Sequence, residues 1–428
     1  MRGLTRAAAA GLAFLFVVGC SAQATDPTGP PSGSPQPPES SPSAPPPSDT
    51  PEPSPISDTA GWLVTAVAPM LRARDGFRVV ALGDETILAV GDDGACHPGS
   101  AEPGSETSER YDPIADEWTV AAALNKPRKD FAMVPTANGG VMVVGGLNGE
   151  DQPYSSTKVF DLDAAVWRDG PLLARAYGDP SAVTVEDGRT YVVGPTTLEE
   201  TTSTSTAEIL AEGSDTWGDG GRIDGAWVHS ITAMSDGTLV AIATGADLPD
   251  MLFIHDSGGA EGWQPLTAPD VTVIERVVPF AGGMLAFGLR YDEATGAVMP
   301  ISPLRWDPIA GDWIETGAMA FPRAGAATVT LADGRILVAA GVGGFQDISE
   351  GELTTTTEVY DPAAQTWSAG PDLLGPRDGG QAVVLDDGSV LIMGGVAVRN
   401  EFGDTPFCPG TLTSVERIFP TPWVAPEV

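Results

Sequence analysis

Residues 322–341 read PRAGAATVTLADGRILVAAG, and residues 355–367 read TTTEVYDPAAQTW. Two short apolar segments flank Asp333-Gly334, a dipeptide that suits a tight hairpin turn because its central positions take positive φ. A glycine-led loop follows, then a strand that ends with Tyr360-Asp361-Pro362, and last a strand that carries Trp367. The stretch therefore predicts a four-stranded antiparallel unit.

The same pattern recurs along most of the chain with a period near 50 residues. Its final strand is marked by tryptophans 46 to 56 residues apart, namely Trp62, Trp118, Trp167, Trp217, Trp263, Trp313 and Trp367. Turn signals occur near Gly83, Asn138, Asp187, Asp236, Gly282, Asp333 and Asp387. A period of this length is typical of solenoids and propellers, and seven hairpins predict seven units.

The repeat resembles the Kelch repeat, in which a double glycine follows the second strand, a Tyr lies in the third and a Trp in the fourth. The double glycine stands at Gly145-Gly146 and at Gly394-Gly395, and the repeat quoted above supplies Tyr360 and Trp367. The resemblance covers about residues 60 to 420. It implies an all-β fold, a seven-bladed Kelch-type β-propeller over residues 58–428.

The two ends of the repeat region are expected to share one blade. The last repeat ends at Ser414–Phe419, whereas a strand that carries Trp62 precedes the first hairpin. We predict that this N-terminal strand completes the last blade, because closure removes the exposed edges of an open array. Trp423 is the competing candidate for the closing strand.

The N-terminus reads as an export signal. Arg2 and Arg6 precede the apolar run Ala7–Val18, which is shorter than the roughly 20 residues that a spanning helix needs. The end of this run, up to Cys20, resembles the bacterial lipobox. The resemblance implies a lipoprotein signal peptide over 1–19, a lipidated Cys20, and a protein anchored to the outer face of the cytoplasmic membrane or cell surface. The alternative is an ordinary signal peptide with an incidental cysteine.

Residues 20–57 are dominated by Pro and Ser, as in SGSPQPPESSPSAPPPSD. Such a segment has few apolar side chains to bury and favours extended conformations, so we expect a disordered, semi-rigid tether. A proline-rich ligand for a partner domain is the alternative interpretation.

Composition excludes several classes of function. The chain has 22 Lys and Arg against 58 Asp and Glu, a net charge of −36, so a nucleic-acid partner is not expected. Three Cys and three His leave little material for a metal centre. We therefore expect no metal, no cofactor and a monomer that meets the membrane only through its lipid anchor.

Two cysteines fall in loops that the propeller places side by side. Cys96 follows the second strand of blade one, and Cys408 follows the second strand of blade seven. Because the protein is expected to be exported and these blades are neighbours in a closed ring, we predict a disulfide between them. Two unpaired thiols are the alternative.

An arginine recurs where the chain enters the first strand of a blade, at Arg74, Arg128, Arg175, Arg323 and Arg377. One hypothesis is a ring of guanidinium groups at the mouth of the channel, which would bind an anionic ligand or an acidic partner segment. The alternative is that each arginine pairs with a carboxylate such as Glu109, Glu358 or Glu416 and serves repeat packing.

The residues favour a binding module over an enzyme, with an envelope protein or glycan bound through the face that carries the strand 2–3 and strand 4–1 loops. Copper-radical oxidases of the galactose oxidase kind need two His, two Tyr and a Cys, and here His97, His229 and His255 are predicted apart. No catalytic constellation is complete. A sugar epimerase-like enzyme remains the alternative, because Asp130 or Asp378 could serve as an acid–base group.

Overall fold

The computed structural model describes residues 56–57, 62–91, 106–195, 204–245, 250–256, 262–291, 298–343, 352–397 and 411–420. All regular structure in these residues is β, so the all-β prediction is confirmed. None of the described segments forms a helix with the length and apolar character needed to cross a bilayer.

The described strands form antiparallel blades that follow one another along the chain, and a parallel pairing of Thr204 with Ala226 joins the third and fourth blades into one sheet. Blade 1 consists of β3 (Arg78–Ala81), β4 (Ile87–Val90), β5 (Ser108–Asp112) and β6 (Glu117–Val120). Blade 2 consists of β7 (Ala132–Pro135), β8 (Val141–Val144), β9 (Thr157–Asp161) and β10 (Val166–Asp169). Blade 3 consists of β11 (Ser181–Thr184), β12 (Thr190–Pro195), β13 (Thr204–Leu210) and β14 (Trp217–Asp224).

Blade 4 consists of β15 (Ala226–Ala233), β16 (Thr238–Gly245), β17 (Met251–Asp256) and β18 (Gln264–Leu266). Blade 5 consists of β19 (Val273–Phe280), β20 (Gly283–Tyr291), β21 (Val298–Pro300), β22 (Leu304–Asp307) and β23 (Asp312–Glu315). Blade 6 consists of β25 (Ala327–Thr330), β26 (Ile336–Ala339), β29 (Thr357–Asp361) and β30 (Thr366–Ala369), beside a small sheet of β24 (Arg323–Ala324), β27 (Val342–Gly343) and β28 (Glu352–Leu353).

The last blade joins both ends of the described chain. Blade 7 consists of β31 (Gln381–Val384), β32 (Val390–Met393), β33 (Val415–Phe419), β2 (Leu63–Val67) and β1 (Ile56–Ser57). Leu63 pairs with Phe419 and Val67 with Val415, so the N-terminal strand completes this blade as predicted. Trp62 is buried beside β2, whereas Trp423 lies outside the described residues.

The first strands of the blades contact one another in a closed order: β3 with β7, then β11, β15, β19, β25, β31 and again β3. The first strands therefore surround a common axis. Because strand direction alternates, the links between blades and the strand 2–3 loops lie at one end of the blades. We call this end the mouth face; it includes the links 121–131, 170–180 and 370–380 and the loop 145–156.

The core lies between blades. Every residue of the second strands β4, β8, β26 and β32 is buried, because each strand is covered on both sides by neighbouring blades. Strands covered on both faces are continuous apolar runs rather than alternating ones, as in ILAV at Ile87–Val90.

The periodic tryptophans join successive blades. Trp118 Nε1 donates a hydrogen bond to Ala68 O at 2.9 Å, and Trp167 Nε1 donates to Ala122 O at 2.8 Å. In both cases the acceptor lies just beyond the fourth strand of the previous blade. The repeat period seen in the sequence is therefore the spacing of a recurring contact between blades.

Candidate functional site

Four of the five arginines at the blade entries are buried in the structure. Arg74 and Arg128 are 0% exposed, Arg377 is 1% exposed and Arg323 is 3% exposed. Arg175 differs, because its side chain is exposed and the corresponding position in blade 3 is Tyr177.

Three of these arginines pair with a glutamate on the third strand of their own blade. Arg323 Nη2 lies 2.6 Å from Glu358 Oε1, Arg74 Nη2 lies 2.8 Å from Glu109 Oε1, and Arg377 pairs with Glu416. The glutamates also accept backbone hydrogen bonds from the incoming link, as Glu358 does from Ala320 N at 2.7 Å and Phe321 N at 3.0 Å. The geometry favours the packing interpretation for these arginines.

Arg128 has a different set of partners. Its guanidinium donates to Gly145 O at 2.7 Å and to Ser156 Oγ at 3.2 Å, and it lies 4.6 Å from the centre of the Tyr154 ring. Its side chain is also closed off from solvent. The structure therefore does not bring the five predicted arginines together at an open mouth.

Carboxyl groups occupy the mouth face instead. Five of them, here called the mouth carboxyls, lie at or just before the first strands of five blades: Asp75, Asp130, Asp179, Glu275 and Asp378. The sequence singled out Asp130 and Asp378 but missed the other three. Asp75 could have been found, because Arg74-Asp75 repeats the Arg377-Asp378 dipeptide.

Three mouth carboxyls belong to blades 5, 7 and 1. Glu275 Oε1 accepts a hydrogen bond from Gly325 N at 3.0 Å, and Asp378 lies against Gly325. A Cβ placed on Gly379 would lie 3.4 Å from Asp75 Oδ1. Burial, and then the charge of Asp378, raise the pKa of Asp75. Burial also raises the pKa of Glu275, against the opposing effect of Arg276.

The other two mouth carboxyls, Asp130 and Asp179, both feel the charge of Arg78, which lowers their pKa values. Burial is the main cause that raises the pKa of Asp179 to about 6, the charge of Asp130 adds to it, and Arg78 opposes it. Partial removal from water raises the pKa of Asp130 as well, while Lys129 and Arg78 oppose that rise. A carboxyl that titrates near pH 6 can exchange a proton under ordinary conditions.

The cysteines Cys20, Cys96 and Cys408 lie outside the described residues. The two loops that carry Cys96 and Cys408 nevertheless approach the same residue at their described ends. Arg74 donates to Gly91 O at the start of one loop, and Arg74 N donates to Leu412 O, at 3.3 Å, just after the other. The predicted disulfide stays a prediction.

The two described histidines, His229 and His255, lie in different surroundings. His97 lies outside the described residues, and His229 is on β15, where burial lowers its pKa and Asp250 opposes that change. His255 lies between the rings of Tyr191 and Trp263, at centroid distances of 6.0 and 5.1 Å. Within the described part of the chain, no three His, Cys, Asp or Glu side chains gather as a metal site.

Comparisons with known proteins agree with this architecture. The family model of the Kelch motif matches residues 322–374. One F-box/kelch-repeat protein of Arabidopsis thaliana is 30% identical over 140 residues, which are 32% of this chain and 36% of that protein. Another is 28% identical over 204 residues, 45% of this chain and 56% of that protein. The chain thus spans only about a third to just over half of these relatives.

A solved structure has a similar fold over most of this chain. It is described as a novel fungal alcohol oxidase of the AA5 family in complex with copper, and it superposes with a TM-score of 0.62. The match covers 87% of this chain and 79% of the oxidase at 16% identity. At that identity the likeness shows the fold alone.

Proposed function

Because this chain is a Kelch-repeat β-propeller, we propose that it is a binding module whose mouth face holds a protein or glycan of the cell envelope. The observation that carries the proposal is the set of mouth carboxyls, Asp75, Asp130, Asp179, Glu275 and Asp378, which five separate blades contribute to one face. Groups that converge from separate blades can contact one ligand at several points.

Buried ion pairs hold the backbone next to two of the mouth carboxyls. Arg74, the residue before Asp75, forms an ion pair with Glu109. Arg377, the residue before Asp378, forms an ion pair with Glu416. A site built on such fixed positions loses little conformational entropy when a ligand binds. The buried ion pairs therefore support the site without contacting the ligand.

The chemistry of the mouth favours a ligand that donates hydrogen bonds. Removal from water destabilises the charged form of a carboxyl, and burial raises the pKa values of Asp75 and Glu275 although each also has a backbone hydrogen bond that lowers its pKa. Ammonium, guanidinium and sugar hydroxyl groups are hydrogen-bond donors. Perturbed carboxyls of this kind are typical of functional sites.

We further propose that the chain is exported and anchored through a lipid on Cys20, with the Pro- and Ser-rich residues 20–57 as a tether. The supporting observation is the apolar run that ends at Cys20. Two or three acyl chains give durable anchoring. In cells fed an alkyne fatty acid, the parent chain should be labelled and Cys20→Ala should not be. Absence of label on the parent would overturn the anchor.

The binding proposal is tested with the full chain in detergent as bait for envelope extract and for an array of neutral and basic glycans. The double variant Asp75→Asn, Asp378→Asn removes two charges from the mouth. Glu117→Gln, on the exposed outer strand β6, removes one charge elsewhere and is the matched control. We expect the double variant to lose capture while the control keeps it. Equal capture by all three chains contradicts the proposal.

A second candidate function is a sugar epimerase-like enzyme. The observation that favours it is the pKa of about 6 for Asp179 beside Asp130, which suits an acid–base group near neutral pH. Incubation with a panel of sugars in D2O would show deuterium at the epimerised carbon, and Asp179→Asn should abolish it. No exchange by the parent chain excludes this candidate for that panel.

A further inference from the structure

All three lysines of this acidic chain belong to blade 2 or to the link that enters it. They are Lys126, Lys129 and Lys158, in a chain with 58 acidic residues. Lys129 Nζ lies 2.8 Å from Asp151 Oδ1, and Lys158 pairs with Asp169. The side chain of Lys126 is exposed, with its Nζ 5.9 Å from the centre of the Tyr154 ring.

Comparison of the repeats shows that blade 2 has a lysine where four other blades have a glutamate. Four blades carry a buried glutamate at matching positions of the third strand, namely Glu109, Glu208, Glu358 and Glu416. Each accepts hydrogen bonds from one or two backbone amides of the link that enters its blade. The donors are Leu71 for Glu109, Ala174 and Arg175 for Glu208, Ala320 and Phe321 for Glu358, and Leu374 for Glu416. In blade 2 the same position is Lys158, opposite Val143.

The exchange leaves a buried cation without its carboxylate. Arg128 is 0% exposed, and no ion pair joins it to a carboxylate of the described residues. Burial lowers the pKa of Arg128 to about 10, with Tyr154 opposing that change. The Tyr154 ring at 4.6 Å gives partial compensation through its negative face.

The backbone donors of the site are retained. By alignment with blade 6, Asn125 and Lys126 stand where Ala320 and Phe321 donate to Glu358. Within the described part of blade 2, no carboxylate accepts from these two amides. Lys158 does not replace the carboxylate, because its amino group binds Asp169 on the outer strand β10.

We propose that Arg128, Lys126 and the amides of Asn125 and Lys126 form a binding site for a carboxylate group on the mouth face. The carboxylate would take the place that a glutamate fills in blades 1, 3, 6 and 7. Guanidinium, ammonium and amide donors together match the acceptor geometry of a carboxylate. Asn125 and Lys126 are exposed and give the ligand its approach, whereas Arg128 lies buried behind them.

Lysine methylation provides a selective probe of this site. Reductive ¹³C-methylation keeps the charge of each amine, and every lysine signal of the full chain then reports on blade 2. Sodium acetate is titrated at constant ionic strength against sodium chloride, with the Lys126 signal assigned through Lys126→Arg. We expect a saturable shift of the Lys126 signal with acetate and none with chloride. A linear shift, or equal shifts with both salts, overturns the proposal.

Lys158→Glu is the decisive variant, because it restores the carboxylate found in the other blades. It should pair with Arg128, raise the melting temperature and abolish the saturable shift. Lys158→Gln, which removes the amine without supplying a charge, should keep the shift and serves as the matched control. An unchanged acetate shift in Lys158→Glu contradicts the site. The probe is acetate alone, so the result does not depend on the envelope partner of the mouth carboxyls.

Discussion

The guanidinium of Arg323 lies 2.6 Å from the carboxylate of Glu358, and both side chains are almost fully buried. The same relationship joins Arg74 to Glu109 and Arg377 to Glu416 in two other blades. Each pair ties the entry of a first strand to the third strand of the same blade. The pairs therefore fix the links on the mouth face, where the candidate ligand groups are.

Breaking one of these pairs should destabilise the propeller. Glu358→Gln leaves Arg323 buried without its counter-charge, and the expected loss in free energy of unfolding is about 3–5 kcal/mol. Urea denaturation measures the change. Glu352→Gln, at an exposed position of the small sheet beside blade 6, is the control and should shift stability by less than about 0.5 kcal/mol. Equal stability of the two variants would show that the ion pair is dispensable.

The recurring tryptophans predict a second stability effect. Trp118→Phe removes the donor to Ala68 O and leaves that carbonyl unsatisfied, so stability should fall by about 1–3 kcal/mol. Val120→Ala, 80% exposed at the end of the same strand, is the matched control. Thermal and urea unfolding of both variants check the prediction. It fails if Trp118→Phe unfolds together with the control.

The repeat pattern predicts the fold because each repeat carries its own turn and core residues. Asp333-Gly334 lies in the turn between β25 and β26, and Trp62 lies beside the strand that closes the last blade. These features depend on local turn chemistry and on a constant period. They can be read from one repeat and extended to the rest.

The site was harder to predict, because its residues depend on contacts across the blade. The burial of Arg323 follows from Glu358, which is 35 residues away, and sequence spacing alone cannot distinguish a buried pair from an exposed ring. Glu275 was missed because blade 5 carries no entry arginine and β19 has a register shift between Ile274 and Arg276. The exchange of glutamate for Lys158 could have been found by aligning the third strands.

The raised pKa of Asp179 predicts a pH dependence of stability. Its folded-state pKa of about 6 exceeds the ordinary value of 3.8, so the folded state binds more protons between these two pH values. Stability contributed by this group is therefore present at low pH and lost as pH rises through about 6, by about 2–3 kcal/mol. Asp179→Asn should make the urea midpoint less dependent on pH between pH 4 and 7, and it should raise the midpoint at pH 7.

Asp215→Asn, at an exposed turn position, is the control for that measurement and should keep the pH dependence of the parent. If Asp179→Asn and the parent have the same slope between pH 4 and 7, Asp179 does not carry the raised pKa. A lower midpoint of Asp179→Asn at pH 7 would show that the side chain is held by hydrogen bonds to its charged form.

Thiol chemistry tests the closure of the ring. The described ends of the Cys96 and Cys408 loops both contact Arg74, and a disulfide there would close a loop of about 310 residues across the seam. The chain-entropy estimate for such a loop is about 5 kcal/mol, an upper figure. The denatured protein with Cys20 acylated should show no free thiol before reduction and two after it. Reduction should also lower the melting temperature, and Cys96→Ser should remove that effect. Two reactive thiols in the unreduced protein would mean that β2 and β33 hold the ring together without a covalent bond.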